Sequence, residues 1–143
     1  MKVNILMSTY NGQQFLAEQI SSIQDQSYTD WTLFIRDDGS SDNTKEILKD
    51  FERQDSRIHL IDSDKSDNLG VIKSFHKLVN HDRADYYFFS DQDDVWLPNK
   101  LELSLKEAQN YLADLPLMVY MDLKVVNQDL EIMTESMVKS QSH

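Results

Sequence analysis

Three carboxylates fall within four residues at Asp91-Gln92-Asp93-Asp94, directly after the apolar run Tyr86-Tyr87-Phe88-Phe89 and Ser90 and shortly before Pro98. Carboxylates so close repel one another, and taking part of that charge out of water is costly unless a cation shares the site. Carboxylate oxygens at a strand end suit Mg2+ or Mn2+, and a metal held by one or two of them commonly also takes substrate phosphates. The plain alternative is a solvated acidic loop. Two further polar clusters weigh against it: Asp37-Asp38-Gly39-Ser40 ends a second strand-like run, and Ser8-Thr9-Tyr10-Asn11 ends a first.

These clusters need a scaffold that brings them together, and the chain carries one. Apolar runs of strand length alternate with segments of helical period, the pattern of a largely parallel sheet. Val3 to Met7 reads as the first strand, followed by a helix with Leu16, Ile20 and Ile23 on one face. Trp31 to Ile35 is the second strand. Turn formers and helix caps at Ser40-Ser41-Asp42-Asn43-Thr44 then open a helix with Ile47, Leu48 and Phe51 along a face. Ile58 to Ile61 is a short third strand, Asp62 to Asn68 a loop, and Gly70 precedes a helix expected to turn Val71, Phe75 and Leu78 inward. Tyr86 to Phe89 is apolar throughout, as a central parallel strand covered on both faces should be. Pro98 fits the first turn of a helix striped by Leu101, Leu105, Ala108 and Leu112. Leu117 to Val126 is expected as one fifth strand, and the polar tail from Gln128 as weakly ordered. In open parallel sheets ligands bind beyond the carboxyl ends of the strands, so all three clusters are expected on one rim.

Each candidate has a competitor. Asp37 and Asp38 either stabilise a helix start or accept hydrogen bonds from a bound base or ribose. Tyr10 either stacks on a nucleobase or packs as a rim aromatic. Lys73 and Arg36 are the nearest partners for a phosphate. The four histidines show no metal-ligand spacing and read as bystanders, and Trp96 reads as a packing anchor below the acidic loop. No G-x-G-x-x-G, P-loop or G-x-S-x-G element occurs, so the dinucleotide, P-loop and nucleophilic-hydrolase readings fall.

Composition narrows the class. At 143 residues and 40% hydrophobic, a single domain over residues 1–143 with a core of its own is expected. A net charge of −11 argues against a nucleic-acid partner, and means that a phosphorylated ligand needs a bridging cation. Without cysteine there is no disulfide framework or thiol nucleophile. The start, Met1 to Met7, is too short for a signal peptide, and no apolar run approaches a membrane span. The expectation is a soluble cytoplasmic domain.

The first strand's Ser8-Thr9-Tyr10-Asn11-Gly12, the segments Leu16 to Ile23 and Gln26-Ser27-Tyr28, and Arg36-Asp37-Asp38-Gly39-Ser40-Ser41-Asp42-Asn43-Thr44 together resemble the N-terminal half of family 2 glycosyltransferases. The likeness continues through Asn68-Leu69-Gly70, Asp91-Gln92-Asp93-Asp94 and Pro98-Lys100-Leu101 to Tyr120-Met121-Asp122-Leu123. It implies the GT-A fold, a Rossmann-like α/β mostly parallel sheet flanked by helices, cut short at the C-terminus. It implies a nucleotide-diphosphate sugar donor and a divalent metal, Mg2+ or Mn2+. By the same resemblance Thr9, Tyr10 and Asn11 line the base pocket, Asp38 hydrogen-bonds the base, and Lys73 lies near a basic position of the family. Asp93 and Asp94 match the acidic pair that contacts ribose and ligates the metal, supported by Asp91. The wording Ser90 to Trp96 is most similar to bacterial rhamnosyltransferases of cell-wall or capsular polysaccharide synthesis. That implies a saccharide or lipid-linked saccharide acceptor, and peripheral association with the inner membrane face.

The family's inverting members carry their catalytic base well beyond the acidic pair. No residue up to His143 matches it, so the base is expected beyond His143, and this chain is expected to be the donor-binding half, inactive alone and prone to self-association through uncovered apolar faces. Two alternatives stay open at this point: a non-catalytic nucleotide-sugar binding module, and a receiver-type phosphoacceptor domain. The second is disfavoured because its acidic pair would follow the first strand.

Overall fold

The computed structural model describes residues 2–63, 67–90 and 95–108, and the strands at 117–119, 125–126 and 132–134. In chain order these form β1 (Val3–Thr9), α1 (Leu16–Gln24), β2 (Thr32–Asp37), α2 (Thr44–Gln54), β3 (Ile58–Ile61), α3 (Val71–His81), β4 (Tyr86–Ser90), α4 (Lys100–Ala108), β5 (Leu117–Val119), β6 (Val125–Val126) and β7 (Ile132–Thr134). All strands join one sheet in the order β3-β2-β1-β4-β5-β6-β7. Strands β1 to β5 are mutually parallel; β6 and β7 add an antiparallel edge.

Alternation along the strands divides the core in two. Ile5, Met7, Leu33, Ile35 and Phe88 face Leu16, Ile20 and Ile23 of α1, Leu48 of α2, and Leu101 and Leu105 of α4. Leu6, Phe34, Tyr87 and Phe89 face Phe75, Leu78 and Val79 of α3. The central strands are therefore apolar on both sides, as β4's unbroken aromatic run required. Trp96 is buried, its ring tilted against Phe88 with centroids 6.4 Å apart, so it is the packing anchor its sequence position suggested. The exposed rings of His59 and His81 lie 5.7 and 5.1 Å from Phe34 and cover it from the surface.

Four expectations change. Leu117 to Val126 is two strands, β5 and β6, paired antiparallel, because the chain reverses within the run. Part of the polar tail forms β7, whose Ile132 pairs with Val126 and so extends the sheet. Trp31 precedes β2 rather than opening it, and is buried beneath the Arg57 guanidinium, 3.9 Å from the ring centre. Val71 does not point inward: it is 64% exposed and Ile72 76%, while Ser74, Phe75, Leu78 and Val79 form the buried stripe. Phe75 and Leu78 thus turn inward as expected, and Val71 does not, because the stripe begins at Ser74, whose hydroxyl bonds Ser8 of β1. Ala108's side chain and Leu112 lie outside the described residues.

Candidate functional site

Because β1 lies between β2 and β4, the sheet's order reverses beside it, and the carboxyl ends of these three strands are neighbours. Thr9 registers with Asp37, and Met7 with Ser90. Such a reversal opens a crevice in parallel sheets and is where they bind ligands. The polar clusters ending β1 and β2 meet here, and the segment beginning at Asp91 leaves the same rim.

At β1's end, Thr9 is buried and its Oγ1 donates to Asp37 Oδ1 at 2.8 Å. Tyr10 is 48% exposed at the rim. Asn11 takes a left-handed backbone with φ 48°, a conformation Asn tolerates better than most residues. That twist lets its N–H donate to Ser40 Oγ and its Oδ1 accept from the Ser41 N–H, each at 2.8 Å. The first two loops of the rim are thus sewn together. Asp37 adds stitches of its own, accepting from the Ser40 N–H and Oγ at 2.8 and 2.6 Å.

Asp38 lies on the other face and is 5% exposed. Its Oδ1 accepts from Arg36 Nη1 at 2.6 Å and from the Leu69 N–H at 2.7 Å; its Oδ2 accepts from the Gly70 N–H at 3.0 Å. Burial raises its proton affinity, but the Leu69 N–H, Arg36 and the Gly70 N–H together outweigh that, and its pKa stands below the usual carboxylate value. Asp38 is therefore held ionised, with the start of α3 drawn over it. Gly70 makes this approach possible: its φ of 87° and ψ of 162° form a backbone state nearly confined to glycine.

Arg36 corrects an expectation. Named as a phosphate partner, it is only 1% exposed and is spent inside the protein. Nε donates to Asp62 Oδ2 at 3.3 Å, Nη1 also to Ser74 Oγ at 3.2 Å, and Nη2 to the Asp67 carbonyl at 3.1 Å. Ser74 Oγ additionally accepts from Ser8 Oγ at 2.7 Å, fastening α3 to β1. The signal was present: an arginine directly following the apolar run Leu33-Phe34-Ile35, two residues before an aspartate on the same face. Lys73, in the first turn of α3, is exposed, as a residue meeting a ligand would have to be.

Asp91, Asp93 and Asp94 lie outside the described residues, but both flanks of their segment are anchored on α1. Ser90 is buried and accepts from Gln19 Nε2 at 2.7 Å. On the far side, the Trp96 N–H donates to Ser22 Oγ at 3.0 Å, while Gln26 donates to the Leu97 carbonyl at 2.7 Å and accepts from the Leu101 N–H at 2.9 Å. Among the described residues no group of three or more His, Asp or Glu is placed to hold a metal. The three carboxylates of Asp91, Asp93 and Asp94 have the chemistry that a hard divalent cation prefers.

With this geometry in place, comparison with known proteins gives the class. The family Glycosyl transferase family 2 matches residues 4–135, and the chain belongs to it. This excludes the receiver-domain alternative. The fold is that of GT-A glycosyltransferases. A Pyrobaculum calidifontis mannosyltransferase in complex with GDP-Man and Mn2+ superposes with a TM-score of 0.67 at 18% identity, over 73% of this chain and 31% of that one. Staphylococcus aureus TarS 1-349 with UDP-GlcNAc superposes with a TM-score of 0.61 at 21% identity, over 82% and 32%. In sequence the chain is 35% identical over 103 residues to the Escherichia coli UDP-Glc:alpha-D-GlcNAc-diphosphoundecaprenol beta-1,3-glucosyltransferase WfgD, covering 72% of this chain and 39% of WfgD. It is 37% identical over 99 residues to the Shigella flexneri dTDP-rhamnosyl transferase RfbG, covering 67% and 34%. The chain thus spans between 31% and 39% of the length of these proteins. Among the described residues, no helix is long and apolar enough to cross a membrane.

Proposed function

We propose that this chain is the donor-binding part of a glycosyltransferase that moves a sugar from a nucleotide-diphosphate donor to a saccharide or lipid-linked saccharide acceptor in bacterial polysaccharide synthesis. The observation that carries this reading is the meeting of the β1 and β2 ends beside the root of the 91–94 segment, within a chain of the family. Tyr10 offers a ring face to a base, Thr9 and Asn11 shape the floor and wall of the pocket, and Asp38 offers an oriented anionic acceptor to a base N–H. Lys73 stands at the start of α3 with its charge available to the donor. Asp91 and Asp93 would meet ribose, and Asp93 and Asp94 would hold Mg2+ or Mn2+. When bound, the metal offsets charge developing on the diphosphate as it leaves. The base that deprotonates the acceptor, in an inverting displacement, is assigned to the part of the relatives this chain does not span.

For the sugar we put forward rhamnose, on the wording Ser90 to Trp96, with glucose as the competing donor. The same reading puts the reaction at the cytoplasmic side, with peripheral contact to the inner membrane face where a lipid-linked acceptor would lie, and with self-association of the chain.

Calorimetry with nucleoside diphosphates, with and without chelator, tests the reading. Binding that depends on Mg2+ or Mn2+ is expected, because a protein of net charge −11 repels a bare diphosphate. Equal affinity in both conditions removes the metal role; no binding removes the reading. Mass spectrometry of an acceptor incubated with donor separates transfer from binding alone.

A further inference from the structure

The buried guanidinium of Arg36 touches four separate pieces of backbone. It meets Asp38 at the end of β2, Asp62 after β3, the Asp67 carbonyl before α3, and Ser74 within α3. No strand ladder links these pieces beyond the sheet rim. A planar fork with several fixed donors can join them; a point charge cannot. Buried ion pairs add little net stability over well-packed apolar side chains, so stability alone is a weak reason for a charge here. What the arrangement does supply is orientation. Arg36 meets Asp38 Oδ1 while the Leu69 and Gly70 N–H groups meet both oxygens, and this fixes the plane of the carboxylate.

We propose that Arg36 is a positioning residue for nucleoside recognition: by bridging Asp38, Asp62, the Asp67 carbonyl and Ser74, it holds the Asp38 carboxylate and the 67–70 loop in the geometry that receives the base. At 1% exposure it does not touch the donor itself. This rests on the donor-binding reading above. Without Arg36, Asp38 keeps only backbone donors, loses its counter-charge, and must either rotate toward water or take up a proton. Either change spoils an acceptor aimed at a base N–H. The 67–70 loop loses its tie to β2 at the same time. The metal end should be untouched, because Arg36's hydrogen bonds go to Asp38, Asp62, the Asp67 carbonyl and Ser74, and none to the described residues flanking 91–94.

The test is titration of the 143-residue chain with uridine, thymidine and guanosine by NMR, and with their diphosphates by calorimetry in Mn2+ or chelator, at a temperature where circular dichroism shows each variant folded. Arg36→Met should weaken the preferred nucleoside about tenfold, the scale of a lost charge-assisted hydrogen bond. Arg36→Lys should fall between Met and wild type. The ratio of diphosphate affinities with and without metal should be unchanged in both. Wild-type affinity in both folded variants overturns the inference and leaves the donor-binding reading standing. Loss of the metal ratio together with nucleoside binding also overturns it, in favour of general disruption. No binding of any of these ligands to wild type overturns the donor-binding reading, and the inference with it. Should Arg36→Met fail to fold, Asp62→Asn keeps Arg36 but removes one anchor. It should weaken the nucleoside about threefold, and unchanged affinity there again overturns the inference.

Discussion

Asp37 and Asp38 are adjacent in sequence and send their carboxylates to opposite faces of the sheet. Asp37 shares its face with Thr9, whose hydroxyl it accepts at 2.8 Å, and ties down the loop that leads into α2. Asp38 faces α3, pairs with Arg36 at 2.6 Å and receives the backbone of Leu69 and Gly70. The period of two along β2 makes this division. One carboxylate organises the loops of β1 and β2, and the other organises the entry of α3.

Asp37→Ala removes the acceptor for one hydroxyl and for both groups of Ser40, leaving the Thr9 hydroxyl buried without it. A loss of about 1–3 kcal/mol is expected, read as a lowered midpoint in urea with an unchanged slope. A midpoint equal to wild type would mean that water replaces these bonds at no cost.

Gly70→Ala meets no steric neighbour, since nothing lies within 4 Å of the added Cβ. The cost comes from the backbone, with φ at 87°, and should be about 1–3 kcal/mol. Because the Gly70 N–H caps Asp38, nucleoside affinity should fall as well. A stable variant with weakened nucleoside binding would separate the loop's shape from its strain.

The two faces of α3 should respond differently. Leu78→Ala empties a fully buried position and is expected to cost about 2–5 kcal/mol. Ile72→Ser, at a residue 76% exposed, should stay within about 0.5 kcal/mol. Thermal unfolding of both variants checks which face of the helix is covered: comparable losses would mean that Ile72 is buried.

Acid should weaken the fold through Asp55. Its hydrogen bonds from Arg57 lower its pKa from 3.8 to about 2, against the opposing effect of burial. A folded-state pKa below the unfolded value means that the bound proton favours the unfolded chain. The stabilisation is fully present above pH 3.8 and is lost as pH falls toward 2. Asp55→Asn should remove about 1 kcal/mol at neutral pH, the small size reflecting a pair partly open to solvent. It should also flatten stability between those two pH values; an unchanged acid limb would exclude the Asp55–Arg57 pair as its source.

Asp94→Asn should weaken a metal-bound nucleoside diphosphate more than the free nucleoside, and Asp38→Ala should do the reverse. Calorimetry with both ligands checks this. Equal losses in both would remove the division of the rim into a base end and a metal end.

Much of this was legible in the residues themselves. Strand-length apolar runs alternating with helical stripes such as Leu16, Ile20 and Ile23 require a two-faced parallel sheet, because each face must bury what the period exposes. The polar clusters ending β1 and β2, and the start of the acidic segment, were readable as strand ends for the same reason. Other features needed tertiary contacts. Whether Val71 or Ser74 turns inward depends on what α3 packs against, and Ser8 settles it with a hydrogen bond from β1. That Leu117 to Val126 folds back on itself depends on pairing between its own halves, which a local apolar run does not record. Above all, Arg36 reads in sequence as a cation free for a phosphate. Only the fold brings Asp62, Asp67 and Ser74, distant along the chain, to join the nearby Asp38 around one guanidinium, so that burial turns an apparent ligand contact into the internal brace of the rim.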